Sequence, residues 1–343
     1  MKKKKMNDKR ITGYILLFML AVCISIPAKA QYETVVNLID GAPNNQIKAA
    51  LEKNGGLLLT ELNNAQGAGR KLSLGEINMD GNAVTSLNTM WEICPFRCDE
   101  LEIVERCLKT HSGGFQIRNI PVIMEPRKGE RFDNDKYQEI VLNFDASGKI
   151  IGLCIALSNT MYVQLMNGGG PEVTDFRERA MVVDFVEQFR TAYNRKDIKY
   201  LQDIYSDDAL IITGKVERVA AANKDNIQFK NQGNVTYTSQ TKKEYLERLA
   251  NVFKNNDRIN VVFENIKINK HSKKKVYGVK LVQHWNSGSY SDVGYLFLLW
   301  DFSDENKPMI HVRTWQPYKE TRKEDVFDIS DFDTSKIKDE NQL

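Results

Sequence analysis

Asp301 and His311 are an acid and an imidazole that close one β-rich run and enter the next. If those runs pair antiparallel, a carboxylate meets a histidine, and such a pair does acid–base work when it faces a cavity. Cys94-Pro-Phe-Arg-Cys98 is a second candidate, for redox or metal chemistry. Three residues separate its thiols, where the usual dithiol or zinc knuckle has two. One structural bridge plus buried thiols is the plainer reading of Cys94, Cys98, Cys107 and Cys154, and spacing alone leaves the pairing open. The sequence has no phosphate-cradling glycine loop, no HExxH helix and no nucleophile elbow. Asn167-Gly-Gly-Gly-Pro171 precedes a helical pattern but lacks a nucleotide fingerprint. No metal or cofactor is implied.

The first thirty residues read as a secretory leader. Lys2 to Lys5, Lys9 and Arg10 form a basic start, Tyr14 to Ile26 is apolar, and Ala28-Lys29-Ala30 is a small-x-small cleavage site. The apolar run is short for a membrane span. The mature chain then starts at Gln31 and is exported, with the periplasm as its expected home. Cys23 offers a lipoprotein alternative, although Val22 is branched where such signals want a small residue. Export makes a disulfide plausible. The leader holds seven Lys/Arg and one Asp, so its removal takes the net charge from +3 to −3. No broad basic field is left for nucleic acid, and no later run is long and apolar enough to span a bilayer.

Residues 31–166 read as one α+β domain. Asn45 to Asn64 has a helical rhythm (Ile47, Leu51, Leu58, Leu62) interrupted by Gly55-Gly56, and a polar stretch runs on through Asn82. Glu100 to Leu108 reads as a helix with Leu101, Val104 and Leu108 on one face. Phe115 to Met124 reads as a strand, and Tyr137 to Leu157 as a hairpin about Asp145-Ala-Ser-Gly148. The glycine run at 167–171 is the linker to a second domain, 172–317. There Val182, Phe185, Val186, Phe189 and Tyr193 mark the buried face of a long helix. Asn194 to Asp197 is a turn into a short helix, and Leu210 enters a strand. The polar segment Val216 to Tyr237 reads as a long loop or lid. Thr241 and Glu244 form a capping box. Four strands follow, at about Ile259–Asn269, Lys275–Trp285, Val293–Phe302 and Met309–Gln316. Residues 318–343 are a charged tail. Its Val326, Phe327, Ile329 and Phe332 either pack on the protein's own surface or dock on a partner, with Phe327 and Phe332 as the anchors.

Three helices before long antiparallel strands, opened by FVEQFRTAYNRKDIKYLQDIYSDDALII, resemble the nuclear transport factor two-like superfamily, which includes SnoaL-like proteins and ketosteroid isomerases. The resemblance covers about Val173 to Pro317. It implies a curved antiparallel sheet wrapped round helices as a cone, and the first domain could be a diverged copy of the same fold. In the register this implies, Phe189 takes the place of the isomerases' oxyanion tyrosine, Thr213 that of their general base, and Leu298 that of their second oxyanion acid. None of the three can do that chemistry. Phe189, Tyr193, Thr213, Trp285, Leu298, Trp300 and Trp315 are the expected pocket-lining residues. On the last strand the more apolar set, Ile310, Val312 and Thr314, is expected to face inward, with His311 and Arg313 outside. If His311 faced inward instead, Asp301 and His311 would make the domain a small-molecule enzyme of the SnoaL type. The leading expectation is an exported, non-catalytic module that binds a small apolar ligand or an envelope protein. Face-to-face homodimers and a purely structural envelope role are the other readings.

Overall fold

The computed structural model describes residues 32–110, 112–125, 136–168, 175–217, 234–288, 290–305, 307–335 and 337. The leader, most of the glycine linker and the centre of the 216–237 segment lie outside the described residues. The described residues from Glu33 onward form a single unit, built on two sheets.

The first sheet begins with β1 (Val35–Asp40) and continues, after two helices, with β2 (Phe96–Cys98), β3 (Glu102–Lys109), β4 (Phe115–Met124), β5 (Tyr137–Phe144) and β6 (Ile150–Ile155). Its order is β1-β3-β4-β5-β6, with β2 paired to the far end of β4. The helices are α1 (Asn45–Gly67) and α2 (Gly81–Ile93). The Asn44 side chain caps α1 by accepting from the Ile47 amide. Gly55 and Gly56 do not break this helix. A Cβ on Gly55 would sit 3.2 Å from the Val36 side chain, and one on Gly56 3.2 Å from the Thr34 carbonyl. The glycine pair therefore lets the helix lie close on β1. Leu51, Leu58, Leu59 and Leu62 are buried there against Val36, Leu38, Ile117 and Leu142.

Two expectations fail in this domain. Glu102–Lys109 is a strand, not a helix. Its burial follows a period of two through Ile103 and Cys107, while the supposed helical face is exposed, Leu101 by 69% and Val104 by 51%. Cys94, Cys98, Cys107 and Cys154 are buried, and no disulfide forms among the described residues. They serve as small apolar side chains, and burial pushes the Cys107 thiol up to about 11 and the Cys98 and Cys154 thiols upward as well.

The second sheet is β7 (Tyr205–Glu217), β8 (Asn234–Gln240), β9 (Asn260–Lys270), β10 (Val276–Asn286), β11 (Ser291–Asp301) and β12 (Met309–Pro317). Its order is β8-β7-β12-β11-β10-β9, with β7 parallel to β12. The helices are α3 (Asn159–Gly168), α4 (Phe176–Asn194), α5 (Ile198–Ile204) and α6 (Lys242–Asn255). The Asp197 cap and the Thr241–Glu244 capping box form as expected. Lys196 takes a left-handed φ of 56° in the tight turn between α4 and α5. Strand β7 runs through Glu217 and β8 starts at Asn234, so both ends of the supposed loop are paired strand. The two sheets are not strand-for-strand copies: the first strand of the second sheet lies parallel to its last, whereas β1 lies parallel to β3. The change of core also comes before the glycine run, because Leu157, Leu165 and Met166 belong to the second core.

Helix α4 joins the halves. One face enters the second core with Val182, Val186, Phe189 and Tyr193. The other closes the first sheet. Arg118 of β4 donates twice to Glu187, at 2.9 and 2.5 Å, and Leu157 N–H donates to the same carboxylate at 2.7 Å. Ile155 N–H donates to Thr191 Oγ1, and Arg190 donates to the Ala156 and Val261 carbonyls. The end of β6 and the residues just after it are thus tied to α4.

The tail lies on the chain's own sheet. Phe327, Ile329 and Phe332 pack on Val276, Phe297, Leu299 and Val312, with Phe332 stacked on Phe297 at 5.4 Å. Lys280 pairs with Asp328 at 2.5 Å. The two phenylalanines expected as partner anchors are therefore occupied within the chain.

Removing one partner of a buried ion pair strands the other. Arg118→Met is expected to lower stability in urea melts by about 3–5 kcal/mol, and adding Glu187→Met should recover part of that loss. A single variant as stable as wild type would contradict the role given to this pair.

Candidate functional site

The inner wall of the second sheet depends on a bulge in β12. Leu299 pairs with Val312 but Trp300 pairs with Ile310, which leaves His311 as the extra residue. Ile310 therefore faces the core, and Val312 faces the tail on the other side. Arg313, opposite Leu298, turns inward, and Thr314, opposite Phe297, turns outward. The expected alternation was wrong for Val312, Thr314 and Arg313 because one extra residue reverses the faces beyond it.

Arg313 is only 6% exposed. Its guanidinium carbon lies 4.9 Å from the centre of the Tyr245 ring. Beside it stand three linked phenols: Tyr193 Oη is 3.2 Å from Tyr205 Oη and 2.6 Å from Tyr245 Oη. Helix α4 supplies Tyr193, the start of β7 supplies Tyr205, and α6 supplies Tyr245. Burial pushes the Tyr205 and Tyr245 hydroxyls well above the usual phenol range, so they stay protonated. Burial opposes the Arg313 charge, and the neighbouring Tyr245, Tyr193 and Tyr205 oxygens favour it, Tyr193 through a hydrogen bond, so the guanidinium remains a cation.

The expected lining residues divide into fully buried and half-buried side chains. Phe189 is fully buried, stacked on Phe263 and edge-on to Tyr193, Tyr205 and Trp300. Leu298 and Trp300 are fully buried too. Trp285 is half-buried and edge-on to Tyr193. Trp315 is half-buried and lies over Gly294, where a Cβ would come within 2.3 Å of the indole. That glycine makes room for the ring. Thr213 pairs with Trp315, and its hydroxyl oxygen accepts from Gln240 at 3.4 Å. Gln240 in turn accepts from the exposed Arg248 at 3.1 Å. The wall therefore presents donors and aromatic faces. Asp292 of β11 lies opposite Trp285 of β10. Burial pushes its pKa up, Tyr290 donates to it at 2.6 Å, and Arg313 pulls it partly back down. Arg313, Tyr205, Tyr245 and Gln240 were missed as site residues in the sequence.

The acid–histidine pair does form. His311 Nε2 is 3.3 Å from Asp301 Oδ2, and Nδ1 is 3.7 Å from Asp208 Oδ1. Burial works against the Asp301 charge, but hydrogen bonds from His311 and Ser303 hold its pKa below the ordinary value. This cluster sits at the bulge and shares no described hydrogen bond or ring contact with the tyrosine–arginine group.

A separate cleft of about 660 Å³ lies where α2, β5 and β6 meet α4 and α5. Thr85, Asn143, Asp184, Lys196 and Tyr200 line it. Nothing in the sequence pointed to it, since its walls come from segments far apart in the chain. Asp184 accepts from Gln116 and Gln188, yet burial and the nearby Glu187 push its carboxyl up to about 6. Among the described residues no three His, Cys, Asp or Glu side chains are grouped to hold a metal, and no helix is long and apolar enough to cross a membrane.

Between its ordinary value of 3.8 and about 6, Asp184 holds its proton more firmly in the folded chain than in the unfolded one. Stability contributed by this group therefore falls as pH rises through that window. Asp184→Asn is expected to flatten this part of the stability–pH curve, measured by urea melts at successive pH values. Parallel curves for variant and wild type would contradict it.

No protein-family model matches the chain, and no curated protein matches it. Similar solved structures include an NTF2-like protein from Cytophaga hutchinsonii, 14% identical, covering 40% of this chain and 97% of that one at a TM-score of 0.29. A putative aromatic ring hydroxylase from Novosphingobium aromaticivorans is 14% identical and covers 42% and 91% at 0.30. An NTF2-like protein of unknown function from Pseudomonas putida is 11% identical and covers 39% and 82% at 0.28. Likeness at this level carries no functional weight. By its own element order and its parallel closure of β7 on β12, the second domain has the cone-shaped fold of the nuclear transport factor two-like proteins.

Proposed function

We propose that this chain is an exported, non-catalytic binding module whose cone-shaped domain holds a small ligand. The observation that carries this reading is the chemistry of the cone wall. It offers a cation, phenols, an amide and indoles, and it has no base where proton abstraction would need one. In the register that the family resemblance implies, Phe189, Thr213 and Leu298 take the places the isomerase chemistry would use. Thr213 is an alcohol, with a pKa far too high for an unaided base. Aromatic walls with a few fixed polar groups are the usual make-up of a small-molecule site.

A second reading, an enzyme working through Asp301 and His311, draws on their 3.3 Å separation. Against it stands the position of the pair at the bulge, apart from the tyrosine–arginine group. The two readings part on mutation. Thr213→Trp should fill the cone and remove any small molecule that native mass spectrometry finds on the purified wild type. His311→Ala should leave that molecule in place. Retention in the tryptophan variant with loss in the alanine variant would favour the enzyme.

Export rests on the leader, and the periplasm is the compartment proposed. N-terminal sequencing of protein from the cell envelope is expected to begin at Gln31. A lipid-modified chain beginning at Cys23 would replace this with membrane anchoring.

A further inference from the structure

We infer that the ligand of the cone is a carboxylate, bound by Arg313. The inference rests on the binding reading above and adds the ligand's charge.

Arg313 is a nearly fully buried cation, and among the described residues no carboxylate lies within ion-pairing distance of it. Its Nε is buried without a hydrogen-bond partner. Asp292 is an acid that interacts with it electrostatically, but that carboxyl accepts from Tyr290 and makes no described ion pair with Arg313. A charge buried without a counter-charge is costly. The three tyrosines soften the cost with ring faces and oxygen atoms, but neutral phenols carry no negative charge. An anionic ligand supplies what the site lacks.

The donors of the site point the same way. The Arg313 Nε–H has no partner, and the phenols of Tyr193, Tyr205 and Tyr245 stand beside the guanidinium. A planar guanidinium edge matches the oxygens of a carboxylate. A phosphate dianion would call for more positive charge, and Arg248, which donates to Gln240, is exposed. The half-buried Trp285 and Trp315 suit an apolar or aromatic body behind the carboxylate.

The test is a thermal-shift and calorimetric screen of the mature protein against short aliphatic and aromatic carboxylates, each paired with its neutral primary amide. Carboxylates are expected to raise the melting temperature and their amides not to. Arg313→Met should weaken carboxylate binding on the order of a hundredfold, and Arg313→Lys should lose less. Without ligand, Arg313→Met should melt at or above the wild-type temperature, since it removes an unpaired buried charge. A purely structural arginine predicts a lower one. Equal binding of acids and amides overturns the carboxylate inference and leaves the binding reading standing. Absence of any carboxylate-specific shift also overturns it, whichever way the methionine variant melts. Loss of all small-molecule binding, including any molecule that co-purifies, defeats the binding reading itself.

Discussion

Glu187 is a carboxylate with no exposure to solvent, and the joined architecture depends on how it is satisfied. Arg118 meets it from the first sheet with both terminal nitrogens, and the Leu157 amide meets it from the segment that leaves that sheet. A charge so placed is tolerable only while all these donors stay in position. It therefore fixes α4 in rotation. With Glu187 held toward the first sheet, Val186, Phe189 and Tyr193 can point only into the cone. That helix face couples the first domain to the cone, and Arg118 adds a contact with the Tyr162 ring of α3. The polar cleft beside it, with Asp184 near its floor, follows from the same junction.

The other governing feature is the extra residue in β12. Without the bulge at His311, Arg313 would lie on the face covered by the tail, among Phe297, Leu299 and Phe332. With it, the guanidinium sits among phenols in the cone, and Val312 becomes a seat for the tail. One irregularity thus gives the outer face its apolar strip and the inner face its cation. The tail occupies that strip, so Phe327 and Phe332 serve the stability of the sheet they cover.

Much of this was legible in the sequence where the signal is local. The apolar spacing from Val182 to Tyr193, the acid cap at Asp197, the Thr241–Glu244 box and the alternating runs from residue 259 onward each depend on near neighbours, and each formed. What failed depends on distant partners. Glu102–Lys109 carries apolar residues at both a helical and a strand period, and pairing with β1 and β4 chooses between them. The glycine pair at 55–56 reads as a break until β1 is known to lie against it. The cysteines read as a bridge from compartment and count, but the packing uses them singly. The candidate site was half visible. Tyr193, Thr213, Trp285 and Trp315 were expected at the cone, but Arg313 was placed on the wrong face because a bulge leaves no mark in a two-residue alternation.

The central claim is that Arg313 holds an unfilled demand for negative charge inside the cone. The most direct measurement is the nitrogen-15 NMR signal of its Nε–H, assigned by comparison with Arg313→Lys and followed as a carboxylate is added. The account predicts a signal that shifts on titration and whose hydrogen then exchanges more slowly with water. A signal that stays fixed while the carboxylate binds, or one already protected without ligand, would contradict it.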